Sequence, residues 1–481
     1  MFRAKKLVND SFYKSYCGEK NMNDDYLDTP ISWGSEIINY FIPKEYENQT
    51  KFLHPPEFSK DKMYEGSVED GLNEVLNNPI GYDVSFDELV KERYTEGKPI
   101  TFVVDDHTRP NLHTKIILPL MIERIKSLGV PENDFRVLIA TGTHRLPRED
   151  EYPKIVGEPI YSKYRDNIIP HDCDKNVTMI GESDAGTPIG FDDLVFESSI
   201  LVPITDSELH YFAGVAGTIK EMCPGIAARQ TVRINHPKMF HREFGFVPGC
   251  GLGCTDENPV ITDIKNMVNI VKKQVTIFGI DTIVTEGEIV YINAGDLVDL
   301  HDEATDLIVD MRTVKLPKPG NIVISGMLSW GINLYQAGKG IHAAWNAVGK
   351  DGNSIIIAVA PLPDKIGNEN YEKVMIESKD MPLQEALEYI LDNYCTEETF
   401  KIGNQKPVDS LRILKTIGED NLRFVSDMDA DELKIYRATP IKKPEEGPVE
   451  AIRRQVKEYM SENPDGLIYI MDDPGLYVII E

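Results

Sequence analysis

The sequence predicts an α/β protein of two α/β domains with mostly parallel sheets, and an active site in the cleft between them. Three observations carry that expectation. Short apolar runs suited to buried strands occur at residues 100–104, within FRVLIATGTHR and at residues 198–205, and each runs straight into polar or ionisable residues. Between the first two, Ile117, Leu118, Met121, Ile122, Ile125 and Leu128 recur at helical spacing. Strand, helix and strand in succession imply parallel pairing. Finally, Pro317, Pro319 and Gly320 break the pattern, and a second set of apolar runs begins at Asn321.

Residues 1 to about 95 read as turn-rich. The first strand, Ile100 to Val104, ends in acidic and turn residues, and the helix after it stops at Gly129 and Pro131. FRVLIATGTHR is the second strand and its loop, and SSILVPIT is the third, leading into Asp206 and His210. Beyond the linker, strands are expected at Asn321 to Ser325 and within SIIIAVAP, with an amphipathic helix over PLQEALEYILDNY. The expected domains are 1–310, carrying the candidate site, and 316–445. The tail, 446–481, reads as a helix and closing strands that return to the first domain.

Composition removes several classes of function. A chain of 481 residues, 41% of them hydrophobic, can bury a sizeable core. Its net charge of −28, without a Lys/Arg block, argues against nucleic acid as a partner. MFRAKKLVNDSFYKSYCGEK has basic residues but no apolar run behind them, and no 18-residue apolar stretch occurs anywhere, so neither a signal peptide nor a membrane partner is expected. Six cysteines in so long a chain suit free thiols in a reducing cytoplasm. Cys250 and Cys254, a C-x3-C without a second pair, are a weak metal signal and read as thiols in a turn.

In parallel sheets, functional groups gather at the carboxyl ends of strands. Asp105, Asp106 and Arg109 follow the first strand, Thr143, His144 and Arg145 the second, and Asp206 and His210 the third. The stretch HYFAGVAGTIKEMCPGIAARQTVRINH, residues 210–236, then sets Lys220 between His210 and His236 among glycine and alanine, with neither strand nor helix periodicity. Small residues there would let a large ligand approach the backbone. Three loops should therefore gather Asp106, Arg109, His144, His210 and Lys220 at one sheet edge.

These residues resemble the nickel-pincer-nucleotide-dependent lactate racemase family of 2-hydroxy acid racemases and epimerases. The resemblance runs from about residue 35 to about residue 440 and rests on D-x-T-R-P (106–110), G-T-H-R (142–145), H-x9-K-x15-H (210–236) and Q-x-x-K (336–339). It implies a cytoplasmic isomerase that inverts the hydroxyl-bearing carbon of a 2-hydroxy acid by reversible hydride transfer to a covalently bound cofactor. That cofactor is a nickel pyridinium bisthiocarboxylic acid mononucleotide, supplied by its own biosynthetic enzymes. The family pattern further implies that Lys220 carries it, that His236 ligates nickel, and that His144 and His210 are the two bases, one for each enantiomer. Asp106 and Phe212 would contact the pyridinium ring, as charge partner and stacking face. Arg109 and Lys339, with Gln336 beside them, would bind the substrate carboxylate, the alternative for either cation being the cofactor phosphate.

For Asp106 the alternative is a capping role, for Phe212 a core aromatic, and for Gln336 and Lys339 a solvated loop; Cys223, three residues after Lys220, reads as a buried small residue rather than a thiol supporting the site. Two other functions compete: a redox enzyme using the same cofactor for net oxidation of a 2-hydroxy acid, and a cofactor-free binding or sensor protein.

Overall fold

The computed structural model describes residues 25–56, 64, 66–285, 287–473 and 475–481. The basic N-terminal stretch and Cys17 lie outside the described residues. The chain forms two compact units: Glu57–His241 with Val247–Met311, and Met1–Pro56 with Arg242–Phe246 and Arg312–Glu481. Among the described residues, no helix is long and apolar enough to cross a membrane.

The unit that holds residues 57–241 is built on β1 (Ile100–Asp105), α1 (Leu112–Ser127), β2 (Phe135–Ala140), β3 (Ile168–Pro170) and β4 (Ile200–Asp206). An antiparallel pair, β5 (Gly279–Thr285) and β6 (Glu288–Gly295), closes one side, and α2 (Leu297–Arg312) follows. The sheet order is β6-β5-β4-β1-β2-β3, and all pairs from β5 to β3 are parallel. β1 is flanked by β2 and β4, so the chain winds outward in both directions from the β1/β4 boundary. Open parallel sheets place their ligand crevice at the strand carboxyl ends of such a boundary.

The apolar side chains of this unit form one cluster. Ile117, Leu118, Met121, Ile122 and Ile125 of α1 are fully buried against Ile100, Phe102 and Val104 of β1. Each such side chain contributes roughly 1.5–3 kcal/mol as an upper bound. The turn-rich reading of the first 95 residues misses Val68–Asn77 and Phe86–Arg93. Both are helices with a capping box, Ser67 with Asp70 and Ser85 with Glu88.

The other unit holds β7 (Ile322–Gly326), α3 (Leu334–Ala347), β8 (Ile355–Val359), β9 (Leu422–Val425) and β10 (Ile468–Met471). Its sheet is parallel throughout, with Thr50–Leu53 beside β10 and Thr439–Pro440 beside β9. The amphipathic helix expected at 382–394 is present as Leu383–Tyr394.

The tail does not return to the first domain. Residues Ile468–Met471 are buried along their whole length, and a strand of that kind needs a neighbour on each side. β7 and Thr50–Leu53 supply them. The boundaries 1–310 and 316–445 shift for the same reason, since the chain up to Pro56 and the chain after 445 both belong with residues 316–445.

Candidate active site

At the end of β1 the backbone turns sharply through Asp106–Asn111. One carboxylate oxygen of Asp106 accepts from the Thr108 amide at 2.9 Å and from its hydroxyl at 2.6 Å, while Asn111, left-handed at φ 56°, donates to the Asp106 and Arg109 carbonyls. The other oxygen, Oδ2, lies 2.8 Å from Nδ1 of His144, which follows β2. One oxygen of Asp106 therefore caps the turn and the other faces His144. Burial pushes this carboxyl up, but the bonds from His144 and Thr108 outweigh it and hold the group below its usual range. An ionised Asp106 accepts only, so Nδ1 of His144 carries the hydrogen and Nε2 keeps its lone pair. The His144 side chain is 46% exposed, which leaves that nitrogen within reach of a ligand.

The second group forms around one ring. Phe212, almost wholly buried, meets His210 edge-on at 4.4 Å between centroids and His236 at 5.7 Å, and Nζ of Lys220 lies 5.5 Å from its centre. Three residues spread over 27 positions are thus brought to one aromatic side chain. His210 accepts from the Ala213 amide at Nδ1 (3.3 Å), so a neutral His210 carries its hydrogen on Nε2. In His236 the arrangement is the reverse of that in His210. Its Nδ1 is 3.1 Å from the side-chain oxygen of Asn235, which fixes the hydrogen on Nδ1 and leaves Nε2 as a lone-pair donor. Burial, reinforced by the Lys220 charge, pushes His236 down to about 3, so it is neutral at physiological pH.

Lys220 is held in a short turn, Thr218–Glu221, and the segment ends on a helix, Arg229–Asn235, that the periodicity reading does not find. Burial, with the Arg109 charge beside it, pushes the Lys220 ammonium down to about 7. Arg109 donates to Glu208 at 2.8 Å, and that carboxylate, ahead of the opposing effect of burial, raises the guanidinium further. Glu221, Asp206 and Asp281 are all pushed up, mainly by burial. Of these, Glu221 acts on both Arg109 and Lys220, while the charge of Asp105 adds to the cost of ionising Asp206 and Asp281.

The glycines of the segment lie against protein backbone. A Cβ on Gly214 (φ +78°) would stand 2.3 Å from the Cys254 carbonyl oxygen, and one on Gly217 (φ +85°) 2.8 Å from that of Asp206. Without a side chain at these two positions, protein backbone can come this close.

Gln336 and Lys339 lie one turn apart on α3, in the other unit. The helix is capped by Asn333, which accepts from the Gln336 amide at 2.9 Å, and Lys339 Nζ sits 3.4 Å over the Trp330 ring. Both residues are therefore helical, and the solvated-loop alternative does not hold. Cys223 is fully buried and its thiol is pushed up by that burial, as a packing residue would be. Cys250 and Cys254 are thiols rather than disulfide partners, and among the described residues no group of three or more His, Cys, Asp or Glu side chains is arranged to hold a metal. His171, just after β3, is fully buried, with Nδ1 on Asp192 (2.8 Å) and Nε2 on the Ala227 carbonyl (3.0 Å).

Sequence reasoning misses Glu208, the partner of Arg109, and His301, whose Nδ1 is 2.7 Å from the Thr218 hydroxyl. Neither stands in a local pattern, and only the fold brings them in.

Residues 34–245 match the family model described as the lactate racemase N-terminal domain. The chain is 32% identical over 319 residues to a lactate racemase of Thermoanaerobacterium thermosaccharolyticum, covering 65% of this chain and 70% of that one. It is 30% identical over 309 residues to a lactate racemase of Lactiplantibacillus plantarum, covering 63% and 69%. The structure of the Thermoanaerobacterium lactate racemase apoprotein superposes with a TM-score of 0.77 at 26% identity, over 94% of this chain and all of that one. A Thermotoga maritima protein, 16% identical with a TM-score of 0.61, shares the fold over 87% of this chain.

Proposed function

From the premise that this chain belongs to the lactate racemase family and is an isomerase, we propose that it inverts the hydroxyl-bearing carbon of a 2-hydroxy acid with a nickel-pincer nucleotide bound covalently at Lys220. The observation that supports this most is the meeting of His210, Lys220 and His236 at the Phe212 ring.

The donor set fits such a group. A lysine at about 7 offers a neutral amine at physiological pH. His236 is neutral, with Nε2 as its lone-pair nitrogen and Nδ1 oriented by Asn235, which is how an imidazole is prepared for nickel. Lys220 would carry the cofactor, His236 would bind its metal, and Phe212 and the Asp106 charge would face the pyridinium. When bound, the cofactor supplies the acceptor for the hydride of the substrate carbon, which is too weakly acidic beside a carboxylate to leave as a proton.

The chain's own residues manage the hydroxyl proton. Nε2 of His144 accepts it, and the Asp106 carboxylate at Nδ1 stabilises the resulting imidazolium. His210 begins in the opposite state, with hydrogen on Nε2. To act as a base it must release its long contact with the Ala213 amide and take a hydrogen on Nδ1. Arg109 would hold a carboxylate or phosphate in competition with Glu208, and the family pattern assigns Gln336 and Lys339 to the substrate carboxylate as well.

The test is a panel of enantiopure 2-hydroxy acids, lactate included, offered to protein produced together with the cofactor's biosynthetic enzymes. The expected outcome is interconversion of enantiomers in both directions without net 2-keto acid. Accumulation of keto acid would favour net oxidation instead, and no turnover by protein shown to carry the adduct would remove the racemase reading for the whole panel.

A further inference from the structure

Lys220 sits in a turn whose first residue is conformationally unusual. Thr218 is fully buried and left-handed, at φ +43°, a region that β-branched residues rarely occupy. Such a geometry persists where its surroundings fix it. The Lys220 amide donates to the Gly217 carbonyl at 3.0 Å, closing the turn around Thr218. Any rotation at Thr218 would therefore redirect the lysine side chain.

What fixes Thr218 comes from a distant part of the chain. Its hydroxyl is 2.7 Å from Nδ1 of His301, a fully buried residue on α2, a helix of 16 residues. The other ring nitrogen of His301, Nε2, has no hydrogen-bond partner among the described residues. A leucine would fill this volume without burying an unpaired nitrogen. Packing alone does not account for the imidazole, whereas its bond to Thr218 does.

We propose that His301 is a positioning residue which, through the Thr218 hydroxyl, aims the Lys220 amine at the site where the cofactor attaches. The proposal rests on the reading of Lys220 as the attachment residue. It transfers the placement of Lys220 from a loop to a rigid helix, which is how a reactive group is held to a narrow range of positions.

The test uses two disruptive variants, His301→Leu and Thr218→Val, and two that keep the bond, His301→Asn and Thr218→Ser. The first readout needs no cofactor: carbamylation of Lys220 by cyanate in the apoprotein, measured by peptide mass spectrometry against exposed lysines in the same sample. The second is the fraction of protein carrying the cofactor adduct after production with the biosynthetic enzymes. Both should fall at least about fivefold in the disruptive pair and stay within about twofold of wild type in the other pair, since misplacing a reacting group is costly in rate. Wild-type labelling and loading in folded Thr218→Val or His301→Leu would overturn the proposal. Thr218→Val exchanges only a hydroxyl for a methyl and decides the matter if His301→Leu does not fold. An adduct missing from wild-type Lys220 would instead overturn the attachment reading, leaving the cyanate comparison to judge the positioning role.

Discussion

At the scale of single residues, the candidate site depends on where hydrogens sit. Asp106 holds His144 in one tautomer, so Asp106→Asn, which can present a donor to Nδ1 and favour the wrong one, should lower racemisation in both directions by about 10²-fold or more. Adduct formation at Lys220 should persist, and chiral product analysis alongside intact mass would check both. The Lys220 amine gives a second expectation. Its folded value of about 7 lies below the ordinary value of 10.5, so the unfolded chain binds the extra proton between those limits and stability rises with pH across that window. Lys220→Met should therefore gain most over wild type below pH 7, the gain fading toward pH 10, as urea unfolding of the apoprotein at several pH values would show. Asp106, His144, His210, Lys220 and His236 were legible because each stands in a short motif. Glu208 and His301 were not, because their partners Arg109 and Thr218 are 99 and 83 residues away.

At the scale of elements, the parallel strands and α1 were legible for a physical reason: a strand buried on both faces is apolar throughout, and a helix against it must repeat its apolar face. The 210–236 segment has neither signature because other contacts determine its path. Gly214 and Gly217 lie against the carbonyls of Cys254 and Asp206, both at positive φ. Gly214→Ala should consequently destabilise the apoprotein by more than about 1 kcal/mol, from strain and backbone collision together. Denaturant titration would measure that cost. Cofactor loading should fall with it, because the displaced strand pair Leu209–His210 and Gly214–Val215 flanks Phe212. A loss of loading larger than the loss of folded protein would separate a local effect from a global one.

At the scale of the whole molecule, the two α/β units were legible as composition breaks, but their membership was not. Thr50–Leu53 pairs with residues 468–471, more than 400 positions away, and pairing at that distance leaves no local mark in either segment. The candidate residues fall in both units. His144, His210, Lys220 and His236 belong to one, and Gln336 and Lys339 to the other. That division separates two jobs experimentally. If the first set holds the cofactor and moves the proton while Lys339 only attracts the substrate carboxylate, Lys339→Ala should leave the Lys220 adduct and bound nickel unchanged. It should raise KM by about tenfold or more, as loss of one charge-assisted contact of roughly 1.5–3 kcal/mol would. Lys339→Arg should recover part of this if charge is what matters, since a guanidinium keeps it in another shape. Steady-state kinetics with both enantiomers, paired with intact mass and metal analysis, would read all three. A Lys339→Ala protein with unchanged KM would remove Lys339 from substrate binding and return it to its place over the Trp330 ring.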